Sequence, residues 1–363
     1  MDVTPVTGLE ELESHIRQLI DDPSTPLNAK LFDEVQLQLT EANVAPLIPR
    51  LLPSITQVLP VYEKDPTILC SLAIKLLQPV TFTQCLQLAS EEALSQALRS
   101  PAPAANILAI TVIEKAARSP SDTAILSIMK GVIEDFLRTW LSSPDVGVGK
   151  KATAALGDLL QVDSDRKNFT GIRERMENLH ISTRINMNSN QPPGQGLLWR
   201  RIFHDREIYE LILSLCSFET VGSDPGQLDE GQKTLAQGRL LDVLPRLAVV
   251  DFQEISSTHF PDITVVPCRH NAVYGLLGFA ALDMVTDRED LLMRVTLIHF
   301  YAEFLNVMSQ TELIKPTIDH LARLMKEVIA SDEATRRSLE SMVATPDSSP
   351  ELLDLFDKID PNN

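Results

Sequence analysis

Apolar residues recur along this chain at the spacing of one helix face. Near the amino terminus they stand at Leu9, Leu12, Ile16 and Leu19, and similar runs follow after short polar breaks. Residues three and four positions apart lie on the same side of an α-helix, so this spacing predicts amphipathic helices rather than strands. The chain therefore predicts a succession of helices joined by turns.

One arrangement of apolar positions occurs four times. A polar or small residue leads, and apolar or small residues follow 7, 11, 14 and 15 positions later. The leading residues are Asp65, Ala102, Asp145 and Asp290. The residues that follow them are Leu72, Leu76, Pro79 and Val80; Ala109, Ile113, Ala116 and Ala117; Ala152, Leu156, Leu159 and Leu160; and Leu297, Tyr301, Phe304 and Leu305.

This arrangement has the period of a repeat protein. The first three leading residues are 37 and 43 residues apart, near the period of about 40 to 47 residues in HEAT and armadillo units. A partner helix, predicted over 126–141, follows the second window, so each unit predicts a helix pair. One pair cannot bury its apolar face alone, whereas stacked pairs share a continuous core.

The predicted fold is an all-α, HEAT/armadillo-like α-solenoid of stacked helix pairs, C-shaped. A compact helical bundle is the alternative, because positions 7 and 11 apart share a face in any helix. The chain length and the regular spacing favour the solenoid. We expect N-terminal HEAT-like repeats over 1–180, C-terminal HEAT-like repeats with loop insertions over 181–345, and a C-terminal tail over 346–363.

Two polar segments interrupt the pattern. Residues 186–196 and 221–233 are rich in Pro, Gly and amides and predict loops. Between them, LLWRRIFHDREIYELILSLCSF keeps the helical spacing and predicts one helix that begins near Leu197.

The charge balance limits the kinds of partner. The 363 residues contain 32 Lys and Arg against 50 Asp and Glu, a net charge of −18. Such a chain repels phosphate backbones and anionic lipids and attracts basic protein surfaces. We therefore expect no direct nucleic-acid binding and no membrane binding.

The amino terminus and the cysteines indicate a reducing compartment. The first residues are acidic and lack the basic and apolar regions of a secretory signal. Cys70, Cys85, Cys216 and Cys268 have no metal-ligand spacing and predict buried thiols. We expect a cytoplasmic protein, with the nucleus as a second location.

Sequence motifs for catalysis are missing. The chain has no P-loop, GxGxxG, HExxH, GxSxG or DFG-type signature. Cys268 and His270 could form a nucleophile and base or two metal ligands, but no further Cys or His completes either set, so an ordinary loop pair is favoured. We expect no enzyme activity, no catalytic residue, no cofactor and no metal.

One basic and aromatic cluster is a candidate partner-binding patch. Its members are Trp199, Arg200, Arg201 and Arg206. Trp and Arg dominate interface hot spots, which favours a contact patch. The alternative, which we favour, is intramolecular pairing of Arg201 and Arg206 with Asp205, Glu207 or Glu210.

An acidic group near the fourth window is the second candidate. Its partner-binding members are Asp283, Asp287, Asp290 and Glu303, with Glu289 between them. These residues could face a basic partner or could simply be solvated, and the sequence does not distinguish the two.

Three segments together carry a family resemblance. The helix LLWRRIFHDREIYELILSLCS, the repeat SPDVGVGKKATAALGDLL and the late helix pair NAVYGLLGFAALDMVTDREDLLMRVTLIHFYAEFLNVM resemble the fungal HEAT-repeat mismatch-repair family. That family is similar to the S-five-b type chaperone of the proteasome base. The resemblance covers roughly residues 8–345.

The resemblance implies a specific activity. A chaperone of that type would grip the C-terminal domain of a proteasomal Rpt-type ATPase on its concave surface and assist assembly of the 19S regulatory particle base. Other base subunits are further expected partners.

Two other functions remain open. A generic armadillo-type adaptor would repeat Trp and Asn at equivalent positions, whereas Trp140 and Trp199 stand in unlike contexts. A DNA-repair factor or scaffold is the other alternative, and its direct binding to DNA would fall steeply with salt.

Overall fold

The helical class predicted from the sequence is confirmed. The computed structural model describes residues 6–165, 192–217, 228–263, 270–287, 289–344 and 349–359. These ranges contain helices and turns and no strand. They divide into unit 1, which comprises Met1–Ala116 and Met129–Thr139, and unit 2, which comprises Ala117–Ile128 and Trp140–Asn363. The boundary predicted near residue 180 lies outside the described residues and stays a prediction.

Unit 1 is built from short helices that pack on their sequence neighbours. They are α1 (Leu9–Asp21), α2 (Ala29–Gln38), α3 (Glu41–Val44), α4 (Ile48–Val58), α5 (Thr67–Leu77), α6 (Phe82–Leu88), α7 (Glu91–Leu98) and α8 (Pro103–Glu114). Helix α1 packs on α2 and α4, α5 packs on α2, α4 and α8, and α8 also packs on α6 and α7. Each helix thus touches the pair before or after it, as stacked pairs do.

Unit 2 contains longer helices. They are α9 (Pro120–Ile128), α10 (Lys130–Ser142, which the division crosses), α11 (Val146–Asp163), α12 (Leu197–Phe203), α13 (Arg206–Cys216), α14 (Glu230–Ile255), α15 (Asn271–Gly278), α16 (Leu291–Ser309), α17 (Lys315–Ser331), α18 (Glu333–Val343) and α19 (Pro350–Ile359). Helix α14 is central, since it packs on α11, α13, α15 and α16.

The leading residue of each repeated window begins a helix. Ala102, Asp145 and Asp290 are the N-cap residues of α8, α11 and α16. Asp65 stands one residue before the cap of α5, and its Oδ1 accepts from the amide of Thr67 at 3.0 Å. A carboxylate there satisfies amides that have no partner in the first turn.

The positions 7, 11, 14 and 15 residues after each leading residue form the core. All of them are buried except Pro79, which is exposed. This repeated arrangement of positions, which we call the apolar template, therefore marks the faces through which the helices pack on one another.

Two predicted helices are each broken in the structure. The helix predicted to run unbroken from near Leu197 ends at Phe203 and restarts at Arg206, because Asp205 caps the second helix by accepting from the amide of Glu207 at 3.1 Å. The helix predicted over 126–141 is likewise interrupted at Met129, between α9 and α10.

Side chains from later helices bind the carbonyl ends of earlier ones. The donors and acceptors are Lys75 Nζ and Gln36 O, Lys115 Nζ and Leu77 O, Thr139 Oγ1 and Leu98 O, and Trp199 Nε1 and Leu160 O. These pairs are 39, 38, 41 and 39 residues apart. The last carbonyls of a helix lack intrahelical donors, so each pair caps one helix from the next repeat.

Two arginines of α14 bind earlier helices of unit 2, Arg246 with a buried side chain and Arg239 with a half-buried one. Arg239 Nη1 donates to the carbonyl of Trp140 at 2.7 Å. Arg246 Nη2 donates to Asp158 Oδ1 at 2.5 Å and to Gln161 Oε1 at 2.7 Å, and all three residues are buried. The arginines thereby satisfy polar groups inside unit 2 that water does not reach.

The segment assigned to a C-terminal tail contains a packed helix. Helix α19 buries Leu352, Leu355 and Ile359 and packs on α16 and α17. It thus contributes apolar surface to the core of unit 2.

Candidate partner-binding surfaces

Trp199 belongs to the interior of unit 2. It is 5% exposed, and its indole N–H donates to the carbonyl of Leu160 at 2.8 Å. Its ring stacks on Phe203 with centroids 5.2 Å apart. The indole therefore anchors α12 on the end of α11, and it presents no surface to a partner.

The start of α12 is held by a buried carboxylate. Asp163 Oδ2 accepts from the amides of Leu198 and Trp199, at 2.7 and 3.1 Å. Burial raises the pKa of Asp163 above its ordinary value, while the donated hydrogen bonds from the helix amides act in the opposite direction.

The arginines of the cluster make the intramolecular contacts that the sequence allowed. Arg201 donates to Asp205 Oδ2 at 2.8 Å and to the carbonyl of Ser127 at 2.9 Å. Arg206 pairs with Glu210 at 3.0 Å and with Asp262 at 2.7 Å. The hydrogen bond from Arg206 is the main reason that the pKa of Asp262 is lowered.

Arg200 differs from the other two arginines of the cluster in its hydrogen-bond acceptors. Its side chain is exposed and donates to the carbonyls of Gln195 and Gly196, at 2.8 and 3.1 Å. Both acceptors are neutral, so Arg200 keeps its charge available to an acidic group, whereas its two arginine neighbours are already paired.

The acidic candidates fall into different environments. Asp283 is half-buried, with its side chain 6% exposed, and it accepts from His270 Nδ1 at 2.7 Å, so it holds the start of α15. Asp287 Oδ1 accepts from the amide of Glu289 at 2.9 Å, and Asp290 caps α16. Glu303 is half-buried further along α16. Asp287 and Asp290 thus combine local capping with charge at the surface.

The first turns of α16 expose large apolar side chains beside these acids. Leu291, Leu292 and Val295 are 73%, 65% and 56% exposed. By length and composition α16 could cross a membrane, but 44% of its apolar stretch is buried in the protein. We define Leu291, Leu292 and Val295 as the α16 patch. Exposed apolar side chains that cluster beside charges are typical of protein interfaces.

The α16 patch was not found from the sequence, although a signal was present. Its residues lie 1, 2 and 5 positions after Asp290, away from the core positions of the template. Apolar residues on the side of a helix that the template leaves polar would have indicated it.

Unit 1 offers a cleft of about 1040 Å³. Apolar and charged side chains share its lining, among them Leu59, Leu88, Leu94, Leu108, Glu92 and Arg99. Its volume is slightly above the usual range of ligand pockets, about 300 to 1,000 Å³. It is a concave surface within unit 1 that a partner could use.

The described cysteines are structural. Cys70, Cys85 and Cys216 are buried free thiols, as the sequence predicted. Burial raises the pKa of Cys70 to about 12, so the reactive thiolate is suppressed. Cys268 lies outside the described residues, and with it the proposed pairing with His270.

Comparison with known families identifies the amino-terminal part. No curated protein matches the chain. Residues 7–141 match the family model described as DNA mismatch repair protein HSM3, N terminal domain. The matched segment includes the windows led by Asp65 and Ala102, and it agrees with the resemblance seen in the sequence. The similarity to this N-terminal domain covers 135 of the 363 residues.

Proposed function

We propose that the chain is a non-enzymatic chaperone that binds the C-terminal domain of a proteasomal Rpt-type ATPase and assists assembly of the 19S regulatory particle base. The match of residues 7–141 to the HSM3 family carries the proposal. The sequence resemblance links this family to the S-five-b type chaperone, and the activity follows from that link.

The architecture supports a binding role. Within each unit the described helices pack on their neighbours, and repeat arrays of this kind present extended surfaces to partners. Such a protein acts by occupying a surface of its client, which prevents premature contacts without any covalent chemistry.

Charge supports a basic client. A net charge of −18 accelerates encounter with a positively charged domain and disfavours acidic ones. Charge of this kind changes mainly the association rate and its salt dependence, while buried apolar contacts set the lifetime of the complex.

The α16 patch is the contact surface that we assign to the client. Leu291, Leu292 and Val295 offer apolar area, and Asp287 and Asp290 stand beside them. A client domain with an apolar centre and a basic edge would match both features.

Co-expression with Rpt C-terminal domains tests the proposal. We expect one or more of these domains to co-purify with the full chain at about 50 mM salt and to bind more weakly at about 300 mM. The failure of every Rpt domain to co-purify at the lower salt would refute the proposal.

Matched variants test the surface. The double variant L291E/L292E should weaken binding at least about tenfold, since buried hot-spot residues each contribute more than about 1 kcal/mol. Leu37 is exposed in unit 1, so L37E is the control and should bind like wild type. Equal loss in both variants would show that the α16 patch is not the contact.

The description of the matching family favours a second function, a scaffold in DNA mismatch repair. Because of its charge, such a scaffold would act through protein partners. Purification from native cells distinguishes the two functions, since recovery of repair proteins without Rpt ATPases would favour the scaffold. Direct binding to duplex DNA at about 50 mM salt would contradict both proposed functions, because each assumes that the acidic chain does not bind DNA itself.

A further inference from the structure

Two histidines and a glutamate meet at one end of unit 2. His204 follows α12 at the break before α13, Glu254 lies in the last turn of α14, and His259 is in the loop after it. One ligand atom from each residue lies within 4.8 Å of the other two. His204 is 55 residues from His259 in the sequence, and the packing of α13 against α14 brings them together.

The distances are close to those of a coordination sphere. His204 Nε2 lies 2.5 Å and His259 Nε2 lies 3.8 Å from Glu254 Oε1. Around a tetrahedral ion with bonds of about 2.0 to 2.1 Å, ligand atoms stand about 3.4 Å apart. The first pair must separate by about 0.9 Å and the second must close by about 0.4 Å, which rotations of surface side chains allow.

The donor atoms select one class of ion. Two imidazole nitrogens and one carboxylate oxygen suit zinc and its first-row neighbours, whereas magnesium and calcium prefer oxygen ligands alone. The imidazole rings are already side by side, with centroids 3.7 Å apart. Both histidines therefore face the space in which the carboxylate lies.

The backbone that carries the ligands is fixed. The amide of His204 donates to the carbonyl of Arg200 at 2.9 Å, and the amide of Glu254 donates to Asp251 Oδ1 at 3.0 Å. The loop of His259 is held to α13 because Arg206 donates to Asp262 at 2.7 Å. Arg206 is the nearby cation, and its pairs with Asp262 and Glu210 offset its repulsion of a metal ion.

We propose that His204, Glu254 and His259 bind a divalent zinc-class ion. The ion would have three protein ligands, with water completing its coordination. His204 and His259 are 34% and 52% exposed, so the ion enters from solvent. A solvent-exposed site with three protein ligands binds the ion more weakly than a closed site with four. The ion joins the break between α12 and α13 to the end of α14 and so stabilises unit 2.

Metal titration of the full chain, purified without a histidine tag and treated with chelator, tests the site. Titration with Co²⁺ should give the visible absorption of a low-symmetry cobalt site and saturate at one equivalent. Calorimetry with Zn²⁺ should give the same stoichiometry. An equal concentration of Mg²⁺ should not compete. Absence of both the cobalt spectrum and the zinc heat would overturn the proposal.

Variants assign the ligands. H259A and E254Q should each weaken Zn²⁺ binding at least about tenfold, as loss of a ligand does. His299 is a surface histidine on α16, so H299A is the matched control and should bind like wild type. Zn²⁺ should raise the melting temperature of wild type and H299A but not of H259A. Undiminished binding in H259A and E254Q would show that the ion sits elsewhere.

Discussion

The guanidinium group of Arg246 lies over Gly157, in the space where any other residue would place its Cβ atom. Arg239 has the same relationship to Gly149, about two helical turns earlier on α11. The glycines of α11 therefore admit arginine side chains from α14, which reach polar groups inside the unit. These two glycines of α11 thus make room for side chains from another helix, which goes beyond close packing of two backbones.

Replacing Gly157 by alanine should destabilise the protein. The added methyl group displaces Arg246 and disturbs its pair with Asp158, and breaking a buried pair costs about 3 to 5 kcal/mol. Alanine recovers about 1 kcal/mol through helix propensity. We expect a net loss of about 2 to 4 kcal/mol in the free energy of unfolding, measured by urea denaturation.

Gly238 supplies the control for that experiment. It lies inside α14, and a Cβ atom there meets nothing within 4 Å. G238A should therefore stabilise the protein by up to about 1 kcal/mol. If G157A were stabilised as G238A is, Arg246 would have to move away from residue 157 without any loss in the free energy of unfolding.

The buried pair of Arg246 and Asp158 should show strong coupling. R246M alone leaves a carboxylate buried without its cation and should cost about 3 to 5 kcal/mol. The double variant R246M/D158L removes both charges and should lose less than the sum of the single variants. A double-mutant cycle in urea measures the coupling energy, and an additive result would mean that the pair contributes nothing as a pair.

Asp163 should make stability depend on pH. Its folded-state pKa lies above the ordinary value because of burial, so the folded protein binds this proton more tightly than the unfolded chain. Stability should therefore rise as pH falls through the window between the two values. We expect wild type to gain stability relative to D163N as the pH falls from the raised folded-state pKa toward the ordinary carboxyl value. Urea unfolding at several pH values measures the difference.

Asp65 should show the opposite trend. Hydrogen bonds from Thr67 lower its pKa, so its contribution is present above the ordinary value and is lost as pH falls through the folded pKa. Wild type should lose stability relative to D65N on acidification. If D163N and D65N gave slopes of the same sign, the burial of Asp163 would not control its ionisation.

Lys115 should be required for the carboxyl end of α5. Its ammonium group is buried and donates to the carbonyls of Leu77 and Val80, at 2.6 and 2.9 Å. K115M keeps the volume but removes the charged donor, so we expect a loss of about 1.5 to 3 kcal/mol. Lys30 is exposed and pairs only with exposed Glu34, so K30M should change stability by less than about 1 kcal/mol. Thermal melts of the two variants provide the comparison.

The repeated windows could be predicted because their causes are local. Asp145 accepts from the amide of Val148 at 2.8 Å, three residues away, and Asp290 caps α16 in the same manner. A polar cap followed by apolar positions on one face determines where such helices start and which side they bury. Nothing distant in the chain is needed for that prediction.

The remaining features depend on contacts that the sequence pattern does not encode. The break at His204 was not predicted from the sequence, because the apolar spacing continues across it. Asp205 and Glu207 nevertheless resemble a helix start. Trp199 is buried with its indole N–H donating to the carbonyl of Leu160, which lies 39 residues earlier in the chain. His204 and His259 come together only through the packing of helices that are distant in the sequence. Their spacing along the chain therefore does not predict a metal site.

The capping of one repeat by the next also bears on how the chain is made. The carbonyls of Gln36, Leu77 and Leu98 accept hydrogen bonds from Lys75, Lys115 and Thr139, respectively. Each donor lies about 40 residues further along the chain. Each of these carbonyls also accepts from a nearer donor, namely the amide of Leu39, the amide of Val80 and the side-chain amide of Asn106, respectively. On the ribosome, each carbonyl therefore lacks only its second donor until the next repeat has been synthesised. A nascent chain that ends between repeats leaves these long-range hydrogen bonds unmade, and each completed repeat adds stability to the one before it.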